Sequence, residues 1–209
     1  MKTRLLAALI LATLLPACAT NRNPDFADSA AAAAQRRAEA IEIADRAYRA
    51  HEAGRQTGDV ARLDQAEELY RESLSLDTSI FATWNNLGEL LLERGDYSGA
   101  ADAFGEASFL NTRDPRPAYN RALTWHRAGY AETALRFYSE ALDRDPSYRP
   151  ALRGAARAAA LINAADYTIE EWIRTALMSE TDPAWREFFT EQRFRVEAAM
   201  RDQLYDTTN

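Results

Sequence analysis

The chain has 209 residues, 47% of them hydrophobic, which fits one folded domain with an N-terminal extra and excludes wholesale disorder. Its formal net charge of −7 sets it against the phosphate backbone, which excludes general nucleic-acid binding. Only 8 Gly and 7 Pro, abundant Ala, Leu, Glu and Arg, and no alternating β-branched runs together predict an all-α chain without sheet.

Residues 1–17 begin with Lys2 and Arg4, continue through the apolar run Leu5–Leu15 and end on small residues before Cys18, the sole cysteine. A run this short does not span a bilayer as a mature helix. The order Leu15-Pro16-Ala17-Cys18 resembles the lipobox of bacterial lipoproteins, with Pro16 a less usual choice. That resemblance implies cleavage before Cys18 and acylation of its thiol and new amino group. An ordinary secretory signal with a chance cysteine is the alternative. Several acyl chains exceed what stable membrane attachment requires. Ala19 follows the cysteine, where an aspartate would favour the inner membrane in the enterobacterial sorting rule. The expected location is therefore the bacterial outer membrane, facing the periplasm. Residues 18–28 read as the lipidated cysteine and a polar tether carrying Pro24.

A helical domain is expected over residues 29–180, with Ser29 placed to cap a long first helix. Three triplets recur along it: Ala66, Ala100 and Ala134; Tyr70, Phe104 and Tyr138; Ser73, Ala107 and Ala141. Each repeats at an interval of 34 residues. Small residues at fixed places let two helices approach, and an aromatic between them fills the remaining space. The second helix of the first unit is Leu63–Leu76. Its first helix fits only with about seven residues inserted after Gly54, so that Ala47 takes the small position, Ile43 the large one, and 55–60 an enlarged turn.

The unit 81–114 carries Trp84, Leu87, Gly88, Tyr97, Ala100, Phe104 and Ala107, with Gly95-Asp96 at its turn. The unit 115–148 carries Ala122, Trp125, Gly129, Ala134, Tyr138, Ala141 and Pro146. In these residues and this interval the chain resembles the tetratricopeptide repeat (TPR) family. The resemblance implies a TPR solenoid of about four helix–turn–helix units, the fourth beginning near Arg149 and degenerate. Asp182-Pro183 then opens a last helix bearing Trp185, Phe188, Phe189, Val196, Ala199 and Met200. Residues 181–209 read as a capping helix and tail; a partner-binding face is the alternative.

In that family the first helices of the pairs line a groove that holds an extended peptide or a helix. The groove residues so implied are Asn86, Glu89, Arg116, Tyr119, Asn120, Leu123, Arg127, Arg153 and Arg157. Arg149, Arg153 and Arg157 recur every four residues and share one helix face, where like charges repel by about 0.2–0.5 kcal/mol. They suit an acidic peptide, or they are solvated, or they pair with Glu170, Glu171 or the capping helix. Asn86 and Asn120 occupy one position in consecutive units, where asparagine holds a ligand's backbone or caps local structure. The family's carboxylate clamp is not met: Asn85, Glu89 and Gly154 stand where it needs lysine, asparagine and arginine.

No catalytic residue, metal or cofactor is expected. His51 and His126 lie in different units without metal-ligand spacing, and no Gly-rich phosphate loop appears. The resemblances imply a non-catalytic scaffold whose partner is another envelope protein or a peptide segment. An assembly factor for a pilus secretin or outer-membrane complex, and an adaptor for peptidoglycan hydrolases, are alternatives on the same frame.

Overall fold

The computed structural model describes residues 24–208. The expected signal, Cys18 and the first part of the tether lie outside the described residues. Within them are nine α-helices: α1 (Pro24–Thr57), α2 (Val60–Leu76), α3 (Phe81–Glu93), α4 (Tyr97–Leu110), α5 (Pro115–Arg127), α6 (Ala131–Arg144), α7 (Arg149–Leu161), α8 (Tyr167–Ser179) and α9 (Pro183–Thr208). Residues 1–35 and 36–209 separate as two units. In the first, α1 is already helical at Pro24, so residues 24–28 are helix rather than tether, and Ser29 lies inside the helix instead of capping it. The run Ala30–Ala34 suits this, since alanine has the lowest helix cost of any residue.

In the second unit, α3, α5 and α7 each span 13 residues and begin 34 residues apart, at Phe81, Pro115 and Arg149. Each packs against the helix that follows it. The residues of the three triplets are all buried: Ala66, Ala100 and Ala134 at 0% exposure, and Tyr70, Phe104 and Tyr138 at no more than 1%. Ser73, the polar member, donates its hydroxyl to the Ala40 carbonyl at 2.7 Å. At Gly88 the close approach is literal. A Cβ built there would sit 2.7 Å from Cε1 of Phe104, so only glycine lets that ring lie against α3.

One device closes all four pairs. Gly58, Gly95, Gly129 and Asn163 adopt left-handed φ of 70°, 79°, 88° and 54°. The residue after each donates its N–H to the carbonyl five residues back, at 2.9–3.1 Å. This is the Schellman bond that satisfies a helix's last carbonyls. Helices α2, α4, α5 and α8 begin on an aspartate cap: Asp59, Asp96, Asp114 and Asp166 each accept from a first-turn N–H.

The first pair corrects an expectation. The seven extra residues do not enlarge the turn, which is as tight as the other three. Gly58 comes four residues later after Ala47 than Gly95 does after Gly88, and α2 begins three residues further ahead of Ala66 than α4 does ahead of Ala100. Each helix has gained about one turn of 3.6 residues. Gly54, the residue before the expected insertion, sits where the lengthened helices touch: a Cβ there would meet Leu63 Cδ2 at 2.8 Å.

The core forms two clusters, one drawn from α1–α4 and one from α5–α9. Arg144 ties the second and third pairs, donating to the Asp114 carbonyl at 3.0 Å and to Ser108 Oγ at 2.7 Å. At the C-terminal end α9 packs on α7 and α8 through Phe189 and Val196, both fully buried. Arg186 donates to the carbonyls of Leu177 and Glu180, at 3.0 and 2.9 Å, and so completes the end of α8.

Candidate functional site

A concave pocket of about 550 Å³ opens between α5, α7 and α9. Helix α5 contributes Tyr119, Leu123, His126 and Arg127, which share one face at three- and four-residue spacing. Helix α7 contributes Arg149, Arg153, Gly154 and Arg157, α6 contributes Tyr138, and α9 contributes Trp185. Tyr138 forms the floor. Its ring lies against Gly154, where a Cβ would come within 2.7 Å of its hydroxyl oxygen. The glycine that departs from the family's clamp is thus required by the aromatic beneath it.

The pocket lining holds four arginines and no carboxylate. Only Arg153 is spoken for. Its Nε donates to Oε2 of Glu180 at 2.8 Å, and its Nη2 stands 2.8 Å from the same oxygen. Glu180 is 3% exposed, and its other oxygen accepts from the N–H groups of Thr181 and Asp182 at 2.9 and 3.0 Å. The Arg153 hydrogen bond, working against burial, draws the Glu180 carboxyl down to about 2. Among the described residues Arg127, Arg149 and Arg157 form no ion pair, and all three are exposed. The guanidinium of Arg157 lies over the Trp185 ring at 4.2 Å from its centroid, with that of Arg153 at 4.7 Å. Stacking on a ring spends the face of a guanidinium and leaves its N–H edge to meet a carboxylate.

His126 completes the wall. Its Nδ1 is 3.3 Å from the Tyr138 hydroxyl. Burial, and then the charge of Arg157, hold its pKa below the ordinary histidine value. Burial pushes the Tyr119 and Tyr138 hydroxyls up, so both stay protonated.

Of the groove residues named from sequence, Tyr119, Leu123, Arg127, Arg153 and Arg157 converge on this pocket. The others lie elsewhere. Arg116 is paired with Asp114 at 2.6 Å. Glu89 accepts from Asn85 at 2.7 Å, and Asn85 in turn accepts from Asn120 at 3.4 Å. Asn86 lines a separate recess of about 280 Å³ with Ile41, Asp45, Tyr48 and Thr83. The carboxylate that meets the arginine row is Glu180, at the end of α8, rather than Glu170 or Glu171. Trp185, expected in the cap's packing, does pack on the core beside Phe189 and also lines the pocket, a second place that its sequence position gave no sign of.

Residues 57–115 and 85–149 match the family described as tetratricopeptide repeat. Human Superkiller complex protein 3 is 30% identical over 119 residues, covering 54% of this chain and 8% of that protein. Two solved structures are similar in fold. MamA superposes with a TM-score of 0.51 at 17% identity, covering 71% of this chain and 79% of its own. A mutant O-GlcNAc transferase of Thermobaculum terrenum superposes with a TM-score of 0.53 at 22% identity, covering 68% of this chain and 26% of its own.

Proposed function

We propose that this solenoid, whose residues 57–149 carry tetratricopeptide repeats, is a non-catalytic protein–protein interaction scaffold that receives an acidic peptide segment in the pocket between α5, α7 and α9. The observation that carries the reading is the set of three arginines without ion pairs, gathered in one concavity of a chain whose formal charge is −7. Guanidinium binds carboxylates in a two-pronged fork. The test is fluorescence anisotropy with labelled peptides of acidic, neutral and basic composition. Acidic peptides bind, the others do not, and Arg127→Glu with Arg157→Glu abolishes the signal while helicity by circular dichroism is unchanged. Equal binding of all three compositions rejects the reading.

We also propose that the protein is held at the bacterial outer membrane, facing the periplasm, through acylated Cys18. Lys2 and Arg4, the apolar run and the single cysteine after Leu15-Pro16-Ala17 support this. Among the described residues no helix is long and apolar enough to cross a membrane. Metabolic labelling with a clickable fatty acid marks the wild type in the membrane fraction; Cys18→Ser loses both label and membrane association.

A further inference from the structure

Beyond Arg157 the pocket continues into a second chamber of about 340 Å³, lined by His126, Arg157, Ala160, Leu161 and Phe188. His126 and Arg157 belong to both chambers, so the two are adjoining parts of one site. Their chemistry differs. The first carries the arginines; past Arg157 the second turns apolar. Leu161, the last residue of α7, is 66% exposed beside it, a large apolar side chain left in water at the mouth of a recess.

We propose, building on the acidic-peptide reading, that the ligand is a segment in which a carboxylate residue lies close in sequence to a large apolar residue. The carboxylate meets the free N–H edge of Arg157 with Arg127 and Arg149. The apolar side chain enters between Leu161, Ala160 and Phe188. Charge complementarity commits the occupant, because a basic or neutral apolar segment would leave the three arginines unpaired and partly desolvated. Successive residues of an extended chain lie about 3.3–3.6 Å apart, so neighbouring positions reach both sides of one arginine. Covering Leu161 and a ligand phenylalanine together removes apolar surface from water, which acidic side chains alone do not do.

The experiment compares Gly/Ser peptides bearing two glutamates with a neighbouring phenylalanine, two glutamates alone, and phenylalanine alone, against the full chain. The combined peptide binds about tenfold or more tighter than the glutamate-only peptide, and phenylalanine alone does not bind. Leu161→Gln, a change at an exposed helix end, removes that tenfold preference and leaves the glutamate-only affinity unchanged. Equal affinity of the two acidic peptides, or a preference that survives Leu161→Gln, overturns this proposal while the acidic-peptide reading stands. Failure of every acidic peptide to bind overturns both.

Discussion

Arg153 in α7 and Glu180 at the end of α8, 27 residues apart in sequence, are joined by an ion pair that decides where the pocket's outer wall stands. The Glu180 carboxylate holds Arg153 with one oxygen and the N–H groups that lead into α9 with the other. Trp185, three residues after Asp182, is thereby set against Arg153 and Arg157. Arg153 belongs to the frame, and changing it tests the anchoring of α9 before it tests a ligand contact.

Glu180→Gln is expected to cost about 1.5–3 kcal/mol near neutral pH, because it leaves the partner of a buried charge only partly satisfied. The carboxyl's folded value, about 2, lies below the unfolded value of about 4.3. Its contribution is therefore complete above the unfolded value and fades as pH falls through the folded one. Denaturant unfolding of wild type and variant across this range should show the gap narrowing below about pH 4 and closing near pH 2. A gap independent of pH would assign the loss to packing instead.

Gly154→Ala is expected to destabilise the fold by about 1–3 kcal/mol, the usual cost of overpacking. The new Cβ has nowhere to go, since Tyr138 is 1% exposed and cannot swing into solvent. Gly88→Ala presses on Phe104 in the same way but remote from the pocket. Both variants should melt earlier than wild type, and only Gly154→Ala should weaken acidic-peptide binding, because it alone displaces the pocket's floor.

The repeats were legible because burial at a fixed interval leaves a mark that needs no partner information: small, aromatic, small, every 34 residues. Helix extents in the first pair were less so. The seven extra residues were expected as an enlarged turn, and the position of Gly58, the start of α2 and the packing of Gly54 against Leu63 put them instead into one more turn on each of two helices. The arginine row of α7 was legible as a shared face, but which arginines are free was not. That depends on Glu180, whose approach follows from how α8 ends. Trp185 was hidden for a related reason: aromatics of a capping helix look alike in sequence whether they face the core or a cavity.

The four turns allow a backbone prediction free of packing effects. Nothing lies within 4 Å of a Cβ built at Gly58, Gly95 or Gly129, so a substitution there meets only the left-handed φ. Alanine at any of the three should cost about 1–2 kcal/mol, and asparagine less, since Asn163 already serves the same turn in the fourth pair. Asn163→Gly should conversely raise stability by a few tenths to about 1 kcal/mol. Thermal melts of these single variants give the ranking, and an equal loss for alanine and asparagine at Gly58 would contradict it.

His126 should make binding proton-linked. It faces the Tyr138 hydroxyl of α6 and the Arg157 guanidinium of α7, follows Trp125 and precedes Arg127 on its own helix, and shares its outer chamber with Phe188 of α9. Unliganded, it is kept neutral by burial and by Arg157. A ligand carboxylate beside Arg157 offsets that charge and raises the histidine's pKa, so binding takes up a proton. Affinity for an acidic peptide should then be flat above the bound-state pKa, rise as pH falls toward the free-state value, and level off below it. A shift of one unit on binding gives a rise of about tenfold. Anisotropy titrations between about pH 7 and pH 5 stay above the range where the peptide's own carboxylates protonate. His126→Gln should flatten the profile while keeping the high-pH affinity, and a slope that persists in that variant would place the proton on another group.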